Sequence, residues 1–441
     1  MDGLVKSKNL LPLTPGGYYI WTIGCQMNKS DSERLGSALD QMGFYEVSSA
    51  EDAQIIVLNS CVVRQNAEDR VTGVLSSMKP LREGNPSRVL ALMGCMVGPN
   101  SQQLKNRFPY VDTFMRPQDY TPLFNLLEER LGIDWEACLT SLIPTNPRVT
   151  AFIPIIHGCD LMCTFCIIPF RRGRQKSRPI PDLFEEIQTL TERGVQEVTL
   201  LGQTVDAYGS DLPNTPDLSD LMDSIHDISG LKRIRFLTSH PIYMTDRIIK
   251  SIQRLPKVCK HINLPIQAGN NEILESMRRR YSREQYYDLI SRIRSQIPGV
   301  SLNTDIIVGF PGESREQFQD TLDTLSEIQF DKVHVAAYSP REGTTAWKRM
   351  EDSVSWPEKQ ERLRLVESLQ KEIATDINGR LLGDNVEILV EDRINGKWRG
   401  RTTSDKLVFF DDPADDFQGK LVHVNVTKTS PWSLQGVLTV A

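Results

Sequence analysis

The apolar run Phe152-Ile-Pro-Ile-Ile156 leads through His157 and Gly158 into Cys159-Asp-Leu-Met-Cys163-Thr-Phe-Cys166. Five largely apolar residues followed by a glycine read as a buried strand and its exit turn. The three thiols behind it have a C-x3-C-x2-C spacing on one loop. A loop that tight can point three sulfurs at one centre, and thiolates are preferred ligands of iron–sulfur clusters. Three protein ligands leave the fourth iron of a cubane cluster open to an exogenous molecule. The alternatives are a structural zinc site lacking its fourth ligand, or plain buried thiols.

Outward from this loop the chain reads as an α/β array. Candidate strands cover 152–156, 196–201, 233–237, 261–265, 301–308 and 332–337, with helices near 181–193, 217–228, 245–254, 283–295 and 314–328. Six βα repeats suggest a partial (β/α)6 barrel of the TIM type, whose site lies at the carboxyl ends of the strands. The cysteine loop follows the first strand, where that geometry requires it. A long polar helix, about 357–378, closes this domain, and residues 134–150 with Pro144 and Pro147 read as a linker.

Upstream, strands at 18–23, 55–58 and 89–93 alternate with helices at 30–42, from about 63 to 77, and near 100–107. This pattern predicts a doubly wound parallel sheet with helices on both faces. Each strand ends in a cysteine, at Cys25, Cys61 and Cys95, at intervals of 36 and 34 residues. Loops after the carboxyl ends of parallel strands converge on one crevice, so three distant cysteines become neighbours. Downstream of Arg380 the pattern changes to five short strands, 385–389, 397–402, 407–410, 421–427 and 434–440, with turn signals at Gly383-Asp384, Asn395-Gly396 and Gln418-Gly419. That predicts a small OB-like β-barrel, a fold that often binds nucleic acid. Its hairpin offers Lys397, Trp398, Arg399 and Arg401, although the segment holds eight Lys/Arg against nine Asp/Glu. A solvated face with a core Trp is the alternative there. The expected domains are 17–134, 145–378 and 380–441.

Composition agrees with several packed cores: 441 residues, 39% apolar and 24% charged. No apolar run approaches the roughly eighteen residues that span a bilayer. The start Met1-Asp-Gly-Leu-Val-Lys6 lacks a signal-peptide core. A cytoplasmic, membrane-free protein is expected, where eight cysteines are metal ligands before they are disulfide partners. The net charge of −6 argues against indiscriminate nucleic-acid binding but leaves room for a local basic patch. Cys138 and Cys259 fit neither trio. Arg171, Arg172, Arg174, Lys176 and Arg178 follow the cysteine loop, and such a run beside a reaction site suits a phosphate backbone. Arg278-Arg279-Arg280 is a second basic run. Gly309-Phe-Pro-Gly312-Glu313 follows a strand and would let backbone approach a cofactor.

The cysteine loop, with Gly158 and Phe165, resembles that of the radical S-adenosylmethionine (SAM) superfamily. Together with the N-terminal trio and the terminal barrel, the chain after residue 17 resembles the methylthiotransferases, whose barrel is a TRAM domain. Gly24-Cys25-Gln26-Met27-Asn28, Asn59-Ser-Cys61-Val-Val-Arg64, Gly94-Cys95-Met96, Leu264-Pro-Ile-Gln267-Ala-Gly269, Thr304-Asp305 and Tyr338-Ser-Pro340-Arg341 match the branch acting on isopentenylated (dimethylallyl) adenosine in tRNA. Ser60, Gln65, Val97, Gly98, Gln175, Thr204 and Asp206 depart from that pattern without removing a ligand. The resemblance implies two 4Fe-4S clusters: a radical-generating one on Cys159, Cys163 and Cys166, and a sulfur-donating one on Cys25, Cys61 and Cys95. It implies SAM contacts from Phe165, Gln203, Ser239, His240, Gln267, Asp305 and Pro340. It implies tRNA contacts, at the anticodon stem-loop, from Arg172, Arg174, Arg178 and the Lys397–Arg401 hairpin. An electron donor such as flavodoxin or ferredoxin, a sulfur source and a monomeric state complete the expectation. Threonylcarbamoyladenosine in tRNA and a ribosomal-protein aspartate are the alternative targets. An Fe–S protein that only carries electrons or binds RNA is the non-enzymatic one, and failure of the reduced protein to cleave SAM would support it.

Reconstituted protein is expected to hold about eight iron and eight sulfide per chain. Replacing Cys159, Cys163 and Cys166 together by Ala should halve both and abolish SAM cleavage. Full iron content in that variant, by metal analysis, would sink the assignment.

Overall fold

Strands buried at every position make the middle of the first sheet, as a parallel sheet covered on both faces demands. The computed structural model describes residues 16–62, 65–132, 134–413 and 416–439. The residues before Gly16, the expected helix start at Val63 and the strand end at Val440 lie outside these. The chain divides into two compact units. The first comprises residues up to Thr145 together with Ile167–Gly173; the second comprises Asn146–Cys166 and everything from Arg174 on.

In the first unit the strands are β1 (Gly17–Thr22), β2 (Tyr45–Glu46), β3 (Ile55–Ser60), β4 (Val89–Gly94) and β5 (Thr113–Met115), in the order β2-β1-β3-β4-β5. Every pairing is parallel. Alternate side chains of β3 and β4 feed two cores: Ile55, Val57, Val89 and Ala91 pack with Leu35, Leu39 and Leu123. Ile56, Leu58, Leu90 and Leu92 pack with Val71 and Leu75. The doubly wound sheet is therefore as the sequence predicts, with two edge strands too short to show periodicity. Ile167, at the start of the helix Ile168–Arg172, joins the second core beside Cys95, Met96 and Val97.

The second unit holds β6 (Thr150–Pro154), the short antiparallel pair β7 (Ile156–His157) and β8 (Lys176–Ser177), then β9 (Glu197–Leu201), β10 (Arg233–Phe236), β11 (His261–Asn263), β12 (Ser301–Val308) and β13 (Lys332–Ala337). Two parallel ladders, β6-β9-β10 and β11-β12-β13, are joined by the Ile234–Val258 bridge and by Ser239 N–H donating to the Asn263 carbonyl at 3.0 Å. This is the six-stranded open barrel that the βα repeats predict. The β7–β8 pair staples the entry and exit of the cysteine loop. Strands β14 (Asn385–Ile394), β15 (Lys397–Arg401), β16 (Leu407–Phe410), β17 (Leu421–Thr429) and β18 (Leu434–Leu438) close into a five-stranded barrel. Trp398 is 6% exposed and sits in its core with Phe410 and Phe417.

That small barrel is seated on the amino ends of β9, β10 and β11. Arg233 donates to the Arg401 carbonyl and to Glu387. Arg235, 3% exposed, takes a two-pronged hold on Glu197 at 3.0 and 3.3 Å and donates to the Thr402 carbonyl at 3.1 Å. Lys406 pairs with Asp331 at 2.6 Å. No helix among the described residues is long and apolar enough to cross a membrane.

Breaking one half of a buried ion pair strands the other charge. Arg235→Met should therefore destabilise the protein by about 3–5 kcal/mol, with Glu197 and the Thr402 carbonyl left unpaired. Urea unfolding measures this, and limited proteolysis should release the segment after Gly379 sooner. A loss below ~1 kcal/mol would mean the seam contributes little.

Candidate functional site

In the second unit the cysteine loop stands at the carboxyl end of β6, the end away from the small barrel. Gly158 (φ 68°) and Met162 (φ 52°) both take left-handed backbone, which folds the loop tightly enough for Cys166 N–H to reach the Cys163 carbonyl at 3.1 Å. Thr164, 2% exposed, pins it on three sides. Its N–H and hydroxyl donate to the Met277 and Ser276 carbonyls, and its carbonyl accepts from Ala346 N–H at 2.8 Å. Burial pushes the Cys159 thiol up, while the Leu161 N–H and the Thr204 hydroxyl, 3.6 Å away, pull it down. Arg279 is buried and donates to Cys163 Sγ at 3.4 Å, with its other N–H groups held by the Pro265 carbonyl and Tyr281.

Next to this loop the ends of successive strands carry buried polar atoms with no protein hydrogen bond: Gln203 Oε1, Ser239 Oγ and His240 Nε2. His240 is 3% exposed and its backbone N–H donates to both oxygens of Asp206, at 2.8 and 3.0 Å. Burial drives the imidazole down to about 2, and the Asp206 carboxyl up to about 8. At neutral pH both side chains are therefore uncharged. Gln267 (φ 77°) bridges to Ile306 and sets its backbone against Asp305. Phe165 packs with the cluster of Met277, Phe310 and Tyr338, and Pro340 is exposed. Orphaned acceptors and donors beside three cysteines that are in no disulfide fit a polar organic ligand next to an iron–sulfur cluster.

The trio of the first unit is knitted by backbone and one side chain. Asn28, fully buried, donates to the Ile23 and Ser60 carbonyls at 3.0 and 2.9 Å, and Cys95 N–H donates to the Ser60 carbonyl at 3.0 Å. The loops after β1, β3 and β4 thus share one junction. Gly24 (φ 132°) and Gly94 (φ 101°) are required there: a Cβ would lie 2.8 Å from Cys61 Cβ and 2.4 Å from the Ser60 carbonyl, respectively. Cys25 is exposed, and Cys61 and Cys95 are buried, none in a disulfide. Among the described residues no three Cys, His, Asp or Glu side chains close on a single ion, as zinc would need. As a donor set, three thiols outside any disulfide suit a cubane cluster with one open iron.

The basic residues separate. Arg174 is exposed, 3.3 Å from Asp160. Arg178 is tied to Glu186 and the Pro154 carbonyl. Arg172 is not a surface cation: its side chain is 2% exposed and paired with Asp31. Arg279 is likewise internal, whereas Arg278 and Arg280 are exposed. On the barrel hairpin, Arg399 is paired with Asp392 at 2.6 Å, and Arg401 with Glu391 and Asp405. The Arg401 carbonyl lies in the seam described above, Trp398 is a core ring unable to stack on a base, and of the four predicted residues only Lys397 is exposed. Sequence reading missed Thr164, Tyr281 and the cysteine contact of Arg279. Glu313 was also missed as a clamp, accepting from Gly309 N–H and Arg362. A cavity of about 280 Å³ beside Tyr120 and Phe124 contains none of these groups.

Comparison with known proteins agrees with this layout. The radical SAM superfamily matches residues 153–325, the family described as UPF0004 matches 17–116, and the TRAM domain matches 379–439. A tRNA-2-methylthio-N(6)-dimethylallyladenosine synthase from Roseiflexus sp. (strain RS-1) is 49% identical over 96% of this chain and 89% of its own. One from Chloroflexus aurantiacus is 47% identical over 95% and 91%. Among solved structures, the radical SAM methyltransferase TsrM from Kitasatospora setae, with cobalamin and a 4Fe-4S cluster, has a TM-score of 0.55 at 11% identity. It covers 88% of this chain and 81% of its own. At that identity the likeness is one of fold.

Asp206 gives a pH test with a definite sign. Its folded value of about 8 lies above the unfolded 3.8, so the folded state binds the extra proton between those limits and stability falls as pH rises. His240, displaced from 6.5 down to about 2, acts oppositely, but only below about 6.5. Between pH 6.5 and 8, Asp206→Asn should therefore gain on the wild type, by at most ~1.4 kcal/mol per pH unit. Urea unfolding of both proteins at the two pH values reads this. Parallel behaviour would show that Asp206 is charged.

Proposed function

This chain belongs to the tRNA-2-methylthio-N(6)-dimethylallyladenosine synthase family, and from that premise we propose that it adds a methylthio group to carbon 2 of isopentenylated adenosine beside the tRNA anticodon. The observation that carries the reading is the pair of three-thiol sites, each at the carboxyl ends of its own parallel sheet. When bound, the clusters and SAM supply a 5′-deoxyadenosyl radical on one side and a methylated sulfur on the other. Cys159, Cys163 and Cys166 hold the first cluster, and Cys25, Cys61 and Cys95 the second. Gln203, Ser239 and His240 offer buried polar atoms to SAM. Phe165, Gln267, Asp305 and Pro340 line the same carboxyl-end face. A neutral His240 adds a hydrogen-bonding group beside the cofactor without adding a cation.

The exposed Arg174, Arg278 and Arg280 at that face and Lys397 on the barrel meet phosphates of the anticodon stem-loop. Taking the target base out of its stack costs a few kcal/mol, least in a single-stranded loop. The small barrel acts by shape and backbone contacts, because most of its hairpin cations already have carboxylate partners. A flavodoxin- or ferredoxin-type donor supplies electrons, an external source supplies sulfur, and the protein works in the cytoplasm as a monomer.

Replacing Cys25, Cys61 and Cys95 by Ala separates the two sites. That variant should still convert SAM to methionine and 5′-deoxyadenosine, because the loop at 159–166 keeps its three thiols. It should form no methylthiolated adenosine, measured by mass spectrometry of digested tRNA. Near wild-type product would move sulfur delivery elsewhere.

A further inference from the structure

The helix Ile168–Arg172 carries a buried charge that the proposed reaction does not yet use. Arg172 Nη2 donates to Asn28 Oδ1 at 3.0 Å and to Asp31 Oδ2 at 3.1 Å, and Asp31 is fully buried. Taking two charges out of water costs several kcal/mol per ion, and an apolar pair of similar volume would often serve stability as well. Fold stability is therefore a weak explanation for the pair. Its hydrogen bonding to protein oxygen and nitrogen is also incomplete: Arg172 Nη1 is buried with no such acceptor, and the further hydrogen-bonding neighbour of the guanidinium is the Cys95 thiol. A buried guanidinium N–H with no oxygen or nitrogen acceptor is costly, and it suits a place where something other than these completes the bond. The surroundings say what that would be. Asn28, which accepts from Arg172, is the side chain that knits the three cysteine loops together. The guanidinium is close enough for its charge to act on both Cys95 and Cys25. Three thiolates on an iron–sulfur core make an anionic centre. Its potential is set by net charge, by hydrogen bonds to sulfur and by exposure.

We propose that Arg172, anchored by Asp31, is a positioning residue for the N-terminal trio, its Nη1 donating into the anionic sulfur shell of the cluster those thiols hold and raising that cluster's reduction potential. The proposal rests on the reading of Cys25, Cys61 and Cys95 as cluster ligands. Residues Arg172 and Asp31 have opposite charges, so a role in setting potential makes an opposite-sign prediction that a merely structural role does not.

The test uses the full chain with Cys159, Cys163 and Cys166 replaced by Ala, so that only the N-terminal centre holds iron. The readout is the midpoint potential, followed by electron paramagnetic resonance during titration with dithionite. In this background R172Q should make reduction about tenfold less favourable, about 59 mV for one electron. R172K, which keeps the charge, should stay within about threefold of the parent by the same relation. D31N, which removes a negative charge, should move the midpoint upward. Unchanged midpoints in both R172Q and D31N, or shifts of the same sign, would overturn the proposal. If R172Q fails to retain iron, D31N and R172K decide: an upward shift in D31N with R172K unmoved supports it, and D31N unmoved or lowered overturns it. A parent protein holding no four-iron centre would instead sink the cluster reading itself.

Discussion

In each of the two units three cysteines are gathered at the carboxyl ends of a parallel sheet, and the proposed function requires each trio to hold one cluster with its fourth position open. A parallel sheet meets that demand because the loops after its strands emerge at one edge. In the second unit a single loop brings all three thiols, so the constraint falls on loop shape, met by left-handed backbone at Gly158 and Met162 and by the three bonds of Thr164. In the first unit the thiols come from three loops, and the constraint falls on holding those loops together. Asn28 and the Ser60 carbonyl do that.

Under the proposed reading, in which each trio holds a cluster, both units meet a shared electrostatic problem in a similar way. An anionic sulfur centre inside protein is costly unless a cation or hydrogen bond offsets it. Each unit places one buried arginine beside one buried cysteine: Arg279 at Cys163, and Arg172 within reach of Cys95. The arginine is held in each case by acceptors of its own, the Pro265 carbonyl with Tyr281 in one and Asp31 with Asn28 in the other. Around the second site His240 and Asp206 lose their charges to burial, so neither adds an ion beside the buried Arg279.

The second unit also divides its ends. The buried ion pair of Arg235 with Glu197, and the pair of buried Arg233 with the half-exposed Glu387, seat the small barrel at the amino ends of β9 and β10. The carboxyl ends are left to the cysteine loop and its polar neighbours. A hairpin rich in arginine thereby becomes part of a seam. Arg399 and Arg401 answer carboxylates, and Arg174, Lys176, Arg278, Arg280 and Lys397 are among the cations left exposed.

The sequence by itself determined the architecture and the six cysteine positions. Strand periodicity and glycine turns are local, and a cysteine at the end of each of three βα units is a pattern that needs no coordinates. Very short edge strands such as β2 and β5 were beyond it, because two or three residues carry no period. What only the tertiary structure decided is the role of each charge. Arg172, Arg279 and Arg235 look alike in sequence, as members of basic or mixed runs. Their partners lie 141, 116 and 167 residues away, at Asp31, Cys163 and the Thr402 carbonyl. Burial and pairing arise from long-range packing, so a cation that reads as a phosphate contact can turn out to be the internal partner of a carboxylate or a thiol. Asp206 follows the same rule: its protonation comes from desolvation, which is a property of the packed site.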